Sequence, residues 1–122
     1  MTRNTTVKEF ELFKSECLKW IDYFGLKDWK IDFLHEELKS ESYAECRVEG
    51  ISSRNVVLCF NTKCSEYDRK CLNIRKTAFH EVWELILWPL QYIGTCRYVQ
   101  PEEFTTAVHS VIRTMENTIY KE

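Results

Sequence analysis

Residues 77–87 read Thr-Ala-Phe-His-Glu-Val-Trp-Glu-Leu-Ile-Leu, and this stretch decides how the whole chain is interpreted. It belongs to a helical pattern that runs from about residue 71 to residue 92 and is apolar over much of its circumference. Such a helix packs inside a core, and Pro89 is expected to end or kink it about one turn before the pattern stops. The apolar helix carries two groups, His80 and Glu84, that do not belong in a core for packing reasons.

Three short segments before this helix have the patterns of β-strands. Residues 29–33 alternate between apolar and charged side chains, and residues 43–48 alternate more weakly. Residues 56–60 form a short apolar run, which is typical of a more central strand. Because the connections are short, the three strands are expected to form an antiparallel meander.

Helices are predicted at both ends of the chain. The first runs roughly over residues 7–24, with Thr6 as its N-cap and Glu9 as the reciprocal partner. The last begins at Pro101, and its apolar face comprises Phe104, Val108, Val111, Ile112, Met115 and Ile119. The predicted fold is therefore α+β: an N-terminal helix, a three-stranded antiparallel sheet and two further helices, in a single domain over residues 1–122.

Net charge, apolar stretches and cysteine spacing indicate which kinds of protein the sequence does not resemble. The net charge is −2, so no strong nucleic-acid footprint is expected. The most apolar stretch, residues 82–93, contains Glu84 and Pro89 and is too short to span a bilayer. The first residues lack the apolar core of a signal peptide, so a cytoplasmic protein is expected, in the host cytoplasm if viral. The six cysteines form no CxxC pair and are interpreted as reduced thiols.

His80 and Glu84 are spaced to bind one metal ion from a single helix. At four residues apart they lie on one face, separated by roughly 40° about the axis. Glu81 lies roughly 60° from Glu84 on the other side. It would point beside the ion, where a general base must lie to take a proton from a metal-activated water.

A hydrolytic zinc site needs three protein ligands and one open position. His109 is the candidate for the third ligand, because the last two helices, packed as an antiparallel hairpin, would let it face the first pair. It neighbours Val108 and Ile112, on the side of its helix predicted to be semi-buried. Two histidines and one carboxylate would leave the zinc centre net positive, which lowers the pKa of bound water to about 7.

Residues 80–84 resemble the HExxH zinc helix of metallopeptidases, with glutamate in place of the second histidine. Residues 78–82 and 85–87 are similar in texture to the active-site helix of small gluzincins and SprT-like proteins. Residues 107–117 resemble the ligand-bearing last helix of small phage-type zinc metallopeptidases. The likeness is loose from about Trp29 onward. It is sharp only in the pentapeptide and His109, and the gluzincin ligand order of two histidines and then glutamate is exchanged.

The resemblance implies a minimal zincin-like fold and a zinc-dependent peptidase or other hydrolase. His80, Glu84 and His109 would hold Zn²⁺, and Glu81 would be the general base. A peptide or protein substrate would add to the exposed edge of the sheet. Tyr92, Tyr98 or Arg113 would stabilise the oxyanion. Glu116, one helix repeat beyond His109, would be a hydrogen-bond partner of that ligand.

Two other interpretations fit the exchanged ligand order. The chain would be a catalytically inactive zincin-like binding module, such as a viral accessory protein, or a structural protein without a metal. In the structural case Glu81 is a solvated helix residue and His109 is a hydrogen-bonded core residue. Glu84 then forms a salt bridge to one of three cations, Arg75, Lys76 or Arg113.

Overall fold

The computed structural model describes residues 2–40, 42–50, 53–65, 69–70, 72–96 and 98–120, with side chains from residue 4 onward. In chain order the elements are β1 (Thr2–Asn4), α1 (Val7–Tyr23), β2 (Lys30–Glu36), β3 (Ala44–Gly50), β4 (Asn55–Asn61), β5 (Lys63–Ser65), α2 (Ile74–Ile86), α3 (Trp88–Thr95) and α4 (Pro101–Thr118). The mixture of helices with a small three-stranded sheet confirms the predicted combination of elements.

The first helix starts and stops at the predicted signals. The Thr6 hydroxyl accepts a hydrogen bond from the Glu9 backbone N–H, and the Glu9 carboxylate accepts one from the Thr6 N–H. This reciprocal capping box satisfies two backbone donors that the helix itself leaves unpaired. Beyond the helix end, Gly25 has a φ of +69°, a left-handed conformation that glycine adopts without strain.

The three-stranded sheet is mixed, so the prediction of an antiparallel meander was wrong. The strand order is β2-β4-β3, with β2 parallel to β4 and β3 antiparallel to β4. The chain passes from β2 to the far edge and then returns through β4 into the middle. The central place of β4 was predicted, and its apolar residues Val56, Leu58, Cys59 and Phe60 are all buried. A strand in the middle of a sheet is covered on both faces, so its successive side chains are apolar. This pattern identified β4 as the central strand, but it does not show which strands lie beside it or in which direction they run.

Within the described residues from 72 onward, the structure has three helices where two were predicted. Cys71, the predicted start of the first, lies outside the described residues, and α2 begins at Ile74. Pro89 divides the long apolar pattern, because α2 ends at Ile86 and the proline occupies the first turn of α3. Among the described ranges, no helix combines the length and the apolar character that a membrane crossing needs.

The core lies between the sheet, α1 and α2. Its fully buried large side chains come from α1 (Phe13), β4 (Leu58 and Phe60) and α2 (Val82 and Leu85). Phe13 and Phe60 stack with ring centroids 5.0 Å apart, which ties α1 to the middle of the sheet. The short sheet of β1 and β5, whose strands have three residues each, was not predicted because so short a segment shows no period.

Candidate metal centre

Helix α2 carries the candidate metal ligands and is held on two sides. It packs on α1 and on the edge strand β3, and the Asn73 side chain caps its first turn by accepting from the Lys76 N–H. Its buried stripe recurs at helical spacing and comprises Ala78, Glu81, Val82, Leu85 and Ile86. One acidic residue therefore occupies a position that the helix buries in the core.

Three predicted site residues are brought together on α2. The Nε2 atom of His80 lies 3.4 Å from Oε1 of Glu84, as the four-residue spacing predicted. One ligand atom each from His80, Glu81 and Glu84 can be chosen so that all lie within 4.8 Å of one another. An imidazole and two carboxylates at this separation form a donor set that zinc accepts.

Glu81, and not Glu84, is the buried carboxylate of the group. Glu81 is only 5% exposed, whereas the Glu84 side chain is 43% exposed. Its Oε2 atom is buried and has no hydrogen-bond partner in the part of the chain that the structure describes. Burial raises the pKa of Glu81 to about 8, and the charge of Glu84 and a carboxyl–carboxyl hydrogen bond to it add to the effect. The alternative in which Glu81 is a solvated helix residue is therefore wrong.

The group opens into a cleft of about 690 Å³, called here the α2 cleft. One wall is α2 itself, from Asn73 to Glu84, and the other is the chain entering β3, including Tyr43, Ala44 and Glu45. The Lys76 side chain on the α2 wall is exposed and supplies the cleft with a positive charge. An edge strand, a candidate metal group and a cation thus share one solvent-accessible space.

A thiol on β3 lies close to the same carboxylates and was not singled out by the sequence. Cys46 belongs to the inner face of β3, packed against the core. Burial raises the pKa of Cys46 to about 12, with the charges of Glu81 and Glu84 as further causes. In the absence of a cation this thiol is protonated at neutral pH, so it does not add negative charge to the group. The packing of α2 against β3 brings it there, and the sequence did not reveal that packing.

The structure does not bring His109 to the other three residues. It lies on α4, is exposed to solvent and does not line the α2 cleft. The buried residues of α4 are Ala107 and Thr118, with Val111 half-buried between them. His109 lies about 160° around the helix from Val111, on the opposite side. The expectation that His109 occupies a semi-buried face is wrong, and so is the alternative of a core histidine.

The predicted supporting residues also lie elsewhere. Tyr92 and Arg113 line a different cleft, and Tyr98 and Glu116 are exposed. Among the described residues, none of the three cations proposed as salt-bridge partners of Glu84 pairs with it. Arg75 instead binds Oε1 of the buried Glu16, at 3.1 Å.

Comparison with known proteins adds no relative: no family model matches the chain, and neither curated proteins nor solved structures give a significant match.

Proposed function

We propose that this protein is a zincin-like, metal-dependent hydrolase that acts on peptide or protein substrates in the α2 cleft. The observation that carries the proposal is the cluster of His80, Glu81 and Glu84, in which one buried oxygen of Glu81, Oε2, has no hydrogen-bond partner among the described residues. A buried carboxylate without a partner is costly unless it is protonated or faces a cation. A divalent metal ion would remove that cost.

The donor set fits Zn²⁺ better than a hard cation. Zinc accepts imidazole nitrogen and carboxylate oxygen together, whereas calcium and magnesium prefer oxygen ligands only. His80 and Glu84 would hold the ion, since their donor atoms lie side by side and are open to the cleft. These two ligands are one fewer than the three of an ordinary hydrolytic zinc site. When bound, the metal would act as a Lewis acid toward a scissile carbonyl and acidify a water molecule.

Glu81 would serve as the general base. Its raised pKa of about 8 in the metal-free protein would fall when a cation neutralises Glu84, so the carboxylate would be free to accept a proton near neutral pH. Its place one residue after His80 keeps it beside the ligands on the buried side of α2. Lys76, on the same cleft wall, is the cation available to an oxyanion or to a substrate carboxylate.

The substrate would be an extended peptide that pairs with β3. This strand is an edge of the sheet, and its first residues form a wall of the α2 cleft. An exposed strand edge offers unpaired backbone groups to a peptide in β-conformation. Pairing along β3 would lay the peptide across the side chains of His80 and Glu84.

The test is metal content followed by hydrolysis. Protein purified without chelator is expected to hold about one zinc ion per chain, and the zinc-loaded protein to cleave casein or a fluorogenic peptide mixture. Glu81→Gln should keep the zinc and lose at least about 100-fold in rate, the scale of a general base. Glu116→Gln, which removes an exposed carboxylate from α4, is the matched control and should change neither.

A second candidate function is a zinc-binding module without catalysis. It is favoured by the position of His109, which lies away from the other three residues. If Glu81 is the base, His80 and Glu84 are then the only two ligands on the described part of the chain. If Glu81→Gln loses zinc as fully as His80→Ala does, Glu81 is the third ligand. No general base then remains, and the catalytic proposal fails.

A further inference from the structure

A second cleft, of about 740 Å³, lies between the end of α1, the helices α3 and α4, and the end of α2. It is called here the α4 cleft, and it shares no lining residue with the α2 cleft. Its volume falls in the range of about 300–1,000 Å³ that small-molecule sites occupy. Leu85 and Ile86 of α2 form part of its apolar lining.

One side of the α4 cleft is aromatic. Trp88 and Tyr92 come from successive turns of α3, with ring centroids 6.3 Å apart and planes tilted by 36°. Trp29 lies on the lining contributed after α1, with the Arg54 guanidinium 5.5 Å from its ring centroid. Aromatic faces of this kind bind flat apolar groups through area and ring contact.

Another part of the lining is a stripe of hydrogen-bond donors on α4. Ser110, Arg113 and Asn117 line the cleft at a spacing of three and four residues, so they share one face of the helix. Their side chains form no hydrogen bond and no ion pair with any described residue. The neighbouring Thr114 and Thr118 hydroxyls, in contrast, donate to backbone carbonyls of α4.

The two ends of the α4 cleft differ in charge. Arg113 has no ionic partner within the described ranges, whereas Arg54 is neutralised by Asp28 at 2.8 Å. The acidic residues Glu102 and Glu103 also line the cleft, but they lie about 15 Å from Arg113 along the axis of α4. An anionic group is therefore favoured at the Arg113 end and disfavoured at the other.

We propose that the α4 cleft binds a small amphipathic anion, whose flat aromatic body lies against Trp88 and Tyr92 and whose carboxylate or sulfonate pairs with Arg113. Ser110 and Asn117 flank that group and complete its hydrogen bonds. A guanidinium fork donates hydrogen bonds to two oxygens of such an anion at once, which sets the orientation of the ligand. The aromatic contact supplies most of the buried area.

The experiment compares two fluorescent probes of similar shape. Anilinonaphthalene sulfonate carries an aromatic body with one negative charge, and N-phenylnaphthylamine is its neutral counterpart. The charged probe is expected to bind saturably with one site per chain. Arg113→Met should weaken it by about tenfold, the effect of one charge-assisted hydrogen-bonded contact, and leave the neutral probe within about twofold. Arg113→Lys should restore part of the affinity.

Two controls separate this site from other sources of probe binding. Lys8→Met removes one exposed positive charge from α1, away from the cleft, and should leave both affinities unchanged. Ile112→Gln with Ile119→Gln removes exposed apolar residues from another face of α4 and should also have no effect. Loss of binding in the Ile112/Ile119 variant, or equal losses in Arg113→Met and Lys8→Met, would overturn the proposal. Addition of a metal chelator should change neither affinity, whatever the outcome at the α2 cleft.

Discussion

Helices α2 and α4 each carry a histidine that the sequence marked as a metal ligand, and only α2 holds its histidine beside another candidate ligand. On α2, His80 and Glu84 meet at 3.4 Å because both belong to one helix whose pitch fixes their separation. On α4, His109 faces solvent. Helical spacing therefore determines which side chains meet within one helix. It does not determine how that helix is rotated about its own axis, and so which side chains face solvent.

The rotation of α4 follows from which residues it buries. Ala107 and Thr118 are buried in preference to Phe104, Ile112 and Ile119, which are 54%, 45% and 62% exposed. Small side chains allow the helix to approach its neighbours on the side that borders the α4 cleft. This leaves half of the apolar stripe in water and directs His109 outward.

The largest expected difference between the two helices is in zinc affinity. His80→Ala should weaken zinc binding by at least about 100-fold, since even outer-sphere partners are worth 10–100-fold. His109→Ala should change the affinity by less than about threefold, within the scatter expected for an exposed, unpaired side chain. Competition with a chromophoric chelator measures both. Equal losses in the two variants would place His109 in the site and break the comparison.

Truncating an apolar side chain should also lower the free energy of unfolding more on α2 than on α4. Leu85→Ala on α2 removes a side chain that is 1% exposed and should lower the free energy of unfolding by about 2–5 kcal/mol. Ile112→Ala on α4 removes a half-exposed side chain and should cost less than about 1 kcal/mol. Urea denaturation of the metal-free proteins checks both values. A cost for Ile112→Ala as large as that for Leu85→Ala would show that α4 packs by its apolar stripe in solution.

The buried carboxylate on α2 should make the stability of the metal-free protein depend on pH. The folded-state pKa of Glu81 is about 8, above the ordinary value of 4.5. The folded state therefore retains a proton that the unfolded state loses, and the stability from this proton is lost as pH rises from about 4.5 to 8. The difference between pKa values of about 8 and 4.5 corresponds to about 4–5 kcal/mol at pH 8. Glu81→Gln should therefore raise the Tm at pH 8 by on the order of 15 °C and change it little at pH 4.5.

The exposed carboxylate Glu116 on α4 is the matched control for that titration. Glu116→Gln should leave the Tm unchanged at both pH values, because the group is solvated in either state. A Glu81→Gln effect of equal size at the two pH values would mean that burial does not shift the titration of Glu81. The closeness of Glu81 to Glu84 and its burial would then not raise the pKa of Glu81.

The smallest expected difference lies at the helix starts. Asn73 caps α2 through its side chain, whereas Gln100 at the start of α4 makes no side-chain cap. Asn73→Ala should cost about 1 kcal/mol, and Gln100→Ala less than about 0.5 kcal/mol. Urea denaturation again gives both numbers. A larger cost at Gln100 would indicate an N-terminal contact of α4 that forms in solution.

Local signals in the sequence predicted the parts of the fold that depend on neighbouring residues. The capping pair Thr6 and Glu9, the break at Pro89 and the meeting of His80 with Glu84 all depend on contacts within a few residues. The central place of β4 also followed, because residues 56–60 are apolar on both faces of the strand.

Long-range arrangement was beyond the sequence. The parallel pairing of β2 with β4 joins segments separated by β3, and no local period encodes that choice. Glu81 was expected beside the ion, but its burial depends on α1 and β3 packing over α2, which the motif does not specify. His109 failed for the same reason, since its direction depends on how α4 docks.

X-ray absorption spectroscopy of the zinc-loaded protein distinguishes a metal site formed by α2 alone from one that also includes His109. If α2 alone provides the protein ligands, the spectrum of the zinc-loaded protein will fit one imidazole with the remaining donors oxygen. A fit that requires two imidazoles would bring a second histidine to the metal and contradict the account, as would protein that takes up no zinc at all.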